Sequence, residues 1–198
     1  MSVATSPAIT IGQHLPWVNM TLDYTEQIVS KIPEDLLDFR PVDPNGHFMF
    51  SLAELAMHCA DTRRMFARQL AGTESEEGMW TEWDENDAGS EMAMTWRFKP
   101  RGTKQEILDS LRTAREELQP WFELPLSSLM EATDGTRALF DQNLTKLRAK
   151  GVDVAEMELR GPSTINRVLF ALTAHEAGHR GTLQTLARLQ GVDARGEH

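Results

Sequence analysis

Residues 163–191 read STINRVLFALTAHEAGHRGTLQTLARLQG, and their pattern is the one that most strongly indicates the fold. Apolar residues recur here at the three- and four-residue spacing that places side chains on one face of a helix. The predicted inward stripe consists of Ile165, Val168, Leu172, His175, His179, Leu183, Leu186 and Leu189. Ser163 or Thr164 is the expected N-cap, and Gly191 follows the expected end near Gln190. The pattern predicts one long amphipathic helix with two histidines on its core-facing side.

The same periodicity predicts three further main helices and a shorter one. Their ranges are residues 14–32, 51–72, 103–124 and about 134–151. The second has the clearest start, because Ser51 and Glu54 have the spacing of a capping box. Residues 33–46 are expected to form a connector with a short turn of helix at residues 34–37. The stripes therefore predict an all-α protein, a four-helix bundle with an extra short helix, as a single domain over residues 1–198 with its core at about 12–191.

Residues 73–102 break the helical periodicity between the second and third predicted helices. They contain Trp80, Trp83 and Trp96 among acidic residues and glycines. Alternation of apolar and polar residues over 92–98 predicts a short strand. Because the segment is long for a loop in a compact domain, we expect an ordered excursion that packs against the bundle. Three roles are open for this segment: it covers the functional site, it forms a dimer contact, or it simply packs into the core.

The charge balance excludes nucleic acid as the main partner. The chain has 30 Asp and Glu against 20 Lys and Arg, a formal charge of -10, and no cluster of basic residues that would neutralise phosphates. An anionic membrane surface is disfavoured for the same reason, and no apolar run approaches the roughly 20 residues that span a bilayer.

Cys59 is the single cysteine, and the N-terminus does not resemble a signal peptide. We therefore expect a cytoplasmic protein.

Three histidines occupy predicted inward positions. His175 and His179 lie one turn apart and about 40° apart around their helix, a spacing that lets two imidazoles bind one ion. His58 lies on the second helix, also on its inward stripe. Ordinary core histidines are the alternative, but each buried ring then needs a polar partner, and Tyr24 is the only tyrosine. We predict that His58, His175 and His179 hold a divalent metal ion with an open position for water or substrate.

The remaining histidines and the cysteine are not expected to be ligands. His14 lies near the start of the first helix, His47 lies in a loop and His198 ends the chain, so all three are expected to be exposed. Cys59 lies about 100° around the helix from His58, and a small buried apolar residue is the favoured interpretation.

Residues 175–179, HEAGH, also match the H-E-x-x-H pattern of zinc proteases, in which Glu176 would be the general base. The metzincin extension requires Gly at position 182 and His at position 185, but the chain has threonine at both. Only 19 residues follow His179, which leaves little room for a third ligand downstream. Glu176 and Arg180 have the spacing of a helix-surface ion pair. We favour that ion pair over the general base and keep a zinc hydrolase as a minor alternative.

Two segments resemble the DinB/YfiT-like superfamily of bacterial four-helix-bundle metalloenzymes. Residues 51–58, SLAELAMH, resemble the cap and apolar run that lead to the histidine of the family's second helix. Residues 174–181, AHEAGHRG, followed by RLQG at 188–191, resemble its C-terminal His-x-x-x-His-Arg-Gly helix. The chain departs from the family at Thr182, where Gln is common, and in residues 73–102 and 127–162, which look longer than in minimal members.

The resemblance implies an up-down-down-up bundle in which His58, His175 and His179 hold zinc or nickel. It also implies a homodimer, since members of the family are often homodimers. Characterised relatives transfer low-molecular-weight thiols such as bacillithiol, or use mycothiol as an isomerase cofactor. On this basis we predict a thiol-transferase type of metalloenzyme acting on a small-molecule thiol and an electrophile. A non-catalytic metal-binding or stress-related bundle is the alternative, and no catalytic acid or base is assigned.

Overall fold

The structure is a computed structural model that describes residues 8–42, 49–73 and 102–194. Within these ranges its α-helices are α1 Ile11–His14, α2 Pro16–Lys31, α3 Leu52–Ala71, α4 Lys104–Glu116, α5 Gln119–Phe122, α6 Asp134–Ala149, α7 Ala155–Arg160 and α8 Ile165–Leu189. Two 3-10 turns cover Glu34–Leu36 and Leu126–Met130. The described residues form no strand, only an isolated antiparallel bridge between Thr10 and Pro125. The all-α prediction is confirmed. The strand predicted at 92–98 lies outside the described residues, as does nearly all of the predicted excursion.

Side-chain caps fix where α3 and α8 begin. At the start of α3, the backbone N–H of Glu54 donates to the Ser51 hydroxyl at 3.2 Å, and the N–H of Ser51 donates to the Glu54 carboxylate at 2.8 Å. These bonds satisfy amide groups that have no partner inside the helix. Thr164 caps α8 through the backbone N–H of Arg167. The predicted capping box and the predicted start of the last helix are confirmed.

Helices α2, α3, α4 and α8 form the bundle. Helix α3 packs against α4 and α8, and α2 also packs against both of them. The Nζ of Lys104 donates to the carbonyl oxygens of Ser30 and Ile32 at 3.1 Å, so α4 begins beside the end of α2. The up-down-down-up order as a whole stays a prediction. None of the helices in the described ranges is long and apolar enough to cross a membrane.

Two glycines bring α3 and α6 together at a very short distance. Helix α3 ends at Gly72, whose φ of +74° is the left-handed conformation that glycine adopts most easily. A Cβ atom built on Gly72 would lie 2.5 Å from the Cα of Gly135, in the first turn of α6. A Cβ built on Gly135 would overlap the backbone nitrogen of Gly72 even more closely. No side chain fits between the two backbones.

The differences from the predicted elements concern helix ends and short helices. The first long helix begins at Pro16 rather than at residue 14, because proline suits the first turn, and the separate helix α1 precedes it. The third ends at Glu116, and Pro120 lies in the first turn of the separate helix α5. Helix α7 was not predicted. Leu189 was expected to face inward, but as the last residue of α8 it is 68% exposed.

Candidate metal centre

Three histidines from two helices meet where α3 faces α8; His58 is buried, and His175 and His179 are half-buried. His58 lies on α3, and His175 and His179 lie on consecutive turns of α8. The Nε2 atoms of His58 and His175 are 3.0 Å apart, and one ring nitrogen from each of the three residues lies within 4.8 Å of the others. The ring centroids of His175 and His179 are 4.3 Å apart. The fold therefore brings together the three residues that were predicted as metal ligands.

The spacing of these nitrogens suits a single divalent ion. Zinc–nitrogen bonds of about 2.0–2.1 Å in tetrahedral coordination place two ligand nitrogens about 3.3 Å apart. The 3.0 Å between His58 and His175 is close to this value, and separations up to 4.8 Å need only small side-chain rotations. Imidazole is a ligand that suits both zinc and nickel. Elsewhere in the described ranges, no other group of three His, Cys, Asp or Glu residues is placed to share an ion.

Burial keeps the three imidazoles neutral. The pKa of His58 is lowered to about 3, first by burial and then by the charges that His179 and His175 would carry. The pKa of His179 is lowered to about 4, first by burial and then by His175. Burial also lowers the pKa of His175, against the opposing charge of Glu176. At neutral pH each ring therefore keeps a nitrogen lone pair, which is the form that binds a metal ion.

Two further side chains border the histidines. Thr62 lies one turn after His58 and is buried, with its Oγ1 3.3 Å from the Nε2 of His175. Phe50 precedes the cap of α3, and its ring stacks on His58 with centroids 5.5 Å apart and an interplanar angle of 18°. The contact of Thr62 with His175 was not predicted. The position of Thr62 four residues after His58 was the available signal.

Glu176 lies in a different environment from the one its sequence neighbours predict. Its side chain is 1% exposed, and both carboxylate oxygens accept hydrogen bonds from Arg63 on α3, one of them at 3.0 Å. The predicted surface ion pair between Glu176 and Arg180 is wrong, because the carboxylate is buried against another helix. Arg180 instead lies over the ring of Tyr24, with its Cζ 5.5 Å from the centroid. A carboxylate held at both oxygens by a guanidinium is poorly placed to act as a general base.

The other candidate residues lie away from ligand positions. His14 is exposed at the end of α1, and His47 and His198 lie outside the described residues. Cys59 is buried beside His58, as predicted. Burial raises the pKa of its thiol, and the neighbouring charge of Glu176 raises it further.

Comparison with known proteins identifies the family. A sequence model of the DinB superfamily matches residues 18–183. The chain belongs to the DinB superfamily. The matched range includes all three histidines of the cluster, so the candidate site lies within the DinB-like part of the chain.

A crystal structure of a DinB-like protein from Bacillus cereus resembles the fold with a TM-score of 0.57. The superposition covers 97% of this chain and 100% of that one, at 17% sequence identity. At this identity the likeness shows the helical-bundle fold that the two DinB-like chains share. No curated protein matches the chain.

Proposed function

We propose that this DinB superfamily protein is a metal-dependent enzyme that transfers a low-molecular-weight thiol to an electrophilic small molecule. His58, His175 and His179 would hold the metal ion, zinc or nickel. The observation that carries the proposal is the convergence of three neutral imidazoles, with a nitrogen from each within 4.8 Å of the others. Three protein ligands around a divalent ion leave a position for an exogenous ligand, which is typical of catalytic rather than structural sites.

The chemistry is the formation of a thioether. A bound divalent ion supplies Lewis acidity, which lowers the pKa of a thiol so that the thiolate prevails at neutral pH. The thiolate sulfur forms a bond to the electrophilic carbon, the leaving group departs with its electron pair, and the proton of the thiol passes to solvent. Thr62, whose hydroxyl is 3.3 Å from the Nε2 of His175, is placed to donate a hydrogen bond to a ligand at the site. Phe50 shields one face of the His58 ring from water.

A second candidate is a non-catalytic metal-binding bundle with a role in sequestration, stress response or protein interaction. The cavity of about 190 Å³ between α6, α7 and α8, lined by residues that include Thr136, Asn143 and Arg167, is separate from the three histidines and so does not supply a substrate pocket at the metal site. The zinc hydrolase has less support, because Arg63 holds the carboxylate that would have to act as its base.

Metal content tests both metal hypotheses. The protein is purified without chelator and its zinc and nickel are measured by elemental analysis, alongside His58→Ala and the control His14→Ala, which removes an exposed histidine. We expect bound metal in the wild type and in the control but not in His58→Ala. A wild type without metal, together with a His58→Ala variant of unchanged properties, would contradict both hypotheses.

Conjugation of a thiol to an electrophile distinguishes the enzyme from the non-catalytic bundle. Bacillithiol, mycothiol and cysteine are each mixed with monochlorobimane, and the fluorescent thioether is followed with metal-loaded protein, with chelator-treated protein and with His58→Ala. Conjugation that only the metal-loaded wild type accelerates supports the enzyme. Bound metal without acceleration for any of the three thiols favours the non-catalytic bundle.

We also propose that the protein is a homodimer. Three large apolar side chains are exposed on α2 and α8, two helices that pack against each other: Trp17, Met20 and Phe170. Light scattering after size-exclusion chromatography tests the proposal with Phe170→Ser and the control Leu159→Ser, an exposed apolar residue on α7. We expect a dimeric mass for the wild type and the control, and a shift towards the monomer for Phe170→Ser. A monomeric wild type would refute the proposal.

A further inference from the structure

Arg63 is a fully buried arginine whose guanidinium group has a partner for every N–H. Its Nε donates to Glu176 at 3.0 Å. Its Nη1 donates to the carbonyl oxygen of Leu111 at 2.8 Å and to the carboxylate of Glu26 at 2.9 Å. Its Nη2 donates to the carbonyl oxygen of Leu22 at 2.8 Å and to the second oxygen of Glu176. One side chain of α3 thus contacts α2, α4 and α8, so that it links all four helices of the bundle.

The Arg63–Glu176 pair lies beside the histidine cluster in both helices. Arg63 follows Thr62, which contacts His175, and Glu176 directly follows His175 on α8. The pair joins the helix that carries His58 to the helix that carries the other two rings. Its two parallel hydrogen bonds restrict the rotation of one helix relative to the other, because a planar fork matches a carboxylate in few orientations.

A buried ion pair of this kind is a weak explanation for stability alone. Apolar residues of similar volume can often replace such pairs without loss of stability, because the charges must be removed from water. The pair does, however, favour one relative orientation of α3 and α8, the two helices that carry Arg63 and Glu176. That property is useful where three imidazoles from two helices must converge on one ion.

We infer that Arg63 and Glu176 are positioning residues that set the rotation of α8 against α3 and so aim His175 and His179 at His58. The inference rests on the proposed function for its purpose, since the rings are taken as metal ligands. The positions of the three rings can nevertheless be measured in the metal-free protein, independently of that function.

The charges around the pair allow a variant without an unpaired buried ion. Replacing Arg63 by Met and Glu176 by Leu removes one positive and one negative charge together. Glu26 keeps cationic neighbours, because Arg115 lies 3.7 Å and Arg112 4.0 Å from its carboxylate oxygens. Arg63→Lys is the conservative variant, which keeps the charge but loses the planar fork. The matched control is Arg160→Met with Glu156→Leu, which removes the exposed ion pair of α7.

Two measurements test the inference. The first is the nitrogen-15 spectrum of the histidine side chains in metal-free protein, with resonances assigned through His→Gln variants. The second is a titration with Co²⁺, followed by its visible absorption bands, with folding monitored by circular dichroism. We expect both variants of the pair to remain helical, to move the ring resonances of His175 and His179, and to weaken Co²⁺ binding by about 10–100-fold. The control variant should match the wild type in both measurements.

The outcomes separate this inference from the proposed function. Unmoved ring resonances in a folded variant of the pair would overturn the positioning role, even where the wild type binds Co²⁺. A wild type that binds no Co²⁺ contradicts the metal site, and the ring resonances alone then decide the positioning role. If neither variant of the pair folds, the pair supports the bundle as a whole and the inference fails.

Discussion

The Nε2 atoms of His58 and His175 lie 3.0 Å apart, although the two residues are separated by 117 positions in the sequence. Two positively charged rings at this distance would repel each other strongly. Burial of the ring, and after it the charges that His179 and His175 would carry, lowers the pKa of His58 to about 3, so the folded protein disfavours protonation of this ring. In the unfolded chain the same ring takes up a proton near its ordinary pKa of 6.5.

We expect the metal-free protein to lose stability as the pH falls. The contribution of His58 is complete above pH 6.5 and is lost progressively towards pH 3, since the unfolded state binds the proton first. The loss approaches about 1.4 kcal/mol per pH unit for one proton. Urea unfolding with chelator at several pH values measures it. The slope should be smaller in His58→Gln and unchanged in His14→Gln, and equal slopes in all three proteins would contradict the expectation.

The contact between Thr62 and His175 should contribute to stability through its hydrogen bond. Thr62→Val removes the hydroxyl from a buried position and keeps the shape of the side chain. We expect the free energy of unfolding of the metal-free protein to fall by about 0.5–1.5 kcal/mol. Thr62→Ser retains the hydroxyl and serves as the comparison. Should the valine variant unfold at the same urea concentration as wild type, the hydrogen bond contributes nothing.

Glu176 should be far more sensitive to truncation than an exposed glutamate on the same protein. Glu176→Ala leaves the buried charge of Arg63 without its bidentate partner, and we expect a loss of about 3–5 kcal/mol. Glu156→Ala breaks an exposed pair with Arg160 and should change stability by less than about 1 kcal/mol. Chemical denaturation compares the two. Similar small losses at both positions would mean that the Arg63–Glu176 pair is not formed in solution.

The same glutamate separates the zinc hydrolase from the other proposals. If Arg63 holds Glu176 as the structure shows, the wild type should not cleave peptides faster than Glu176→Gln does. A panel of fluorogenic peptides with metal-loaded protein provides the measurement. Cleavage by the wild type that Glu176→Gln abolishes would restore the general-base role.

The contact of Gly72 with Gly135 should not tolerate a methyl group. A Cβ on Gly135 would overlap the backbone of Gly72, so α6 would have to move away from α3. We expect Gly135→Ala to destabilise the protein by about 1–3 kcal/mol. Gly181→Ala is the control, because nothing lies within 4 Å of the position that its Cβ would take and alanine favours helix, so it should be neutral or stabilising. Thermal unfolding of the two variants in parallel gives the comparison.

Local pattern predicted the helices and the histidine cluster because both depend on periodicity. The capping box of Ser51 and the inward positions of His58 and His175 follow from spacing within one helix, and the structure confirms them. The partner of Glu176 could not be found in this way. In the sequence, Arg180 lies one helical turn from Glu176, whereas Arg63 lies 113 positions from it. Only the packing of α3 on α8 brings Arg63 and Glu176 together.

The short elements were missed for a related reason. Helix α7 has six residues and none of them is buried, so no apolar stripe marks it in the sequence. Leu189 fits the stripe of α8 in spacing, but the helix ends there and no neighbouring element within the described ranges covers it. Periodicity reports which face of a helix is apolar, and it does not report where the surrounding helices stop.

Under the proposed function, the burial of Cys59 protects the protein from modification by its own substrates. A protein that brings thiols and electrophiles together would be alkylated by its own substrate if it exposed a reactive cysteine. Burial raises the pKa of the Cys59 thiol and removes it from contact with solvent, so the sulfur stays protonated and out of reach. Within the part of the chain that the structure describes, the sole thiol is thereby protected from self-inactivation, although it belongs to the residue next to His58.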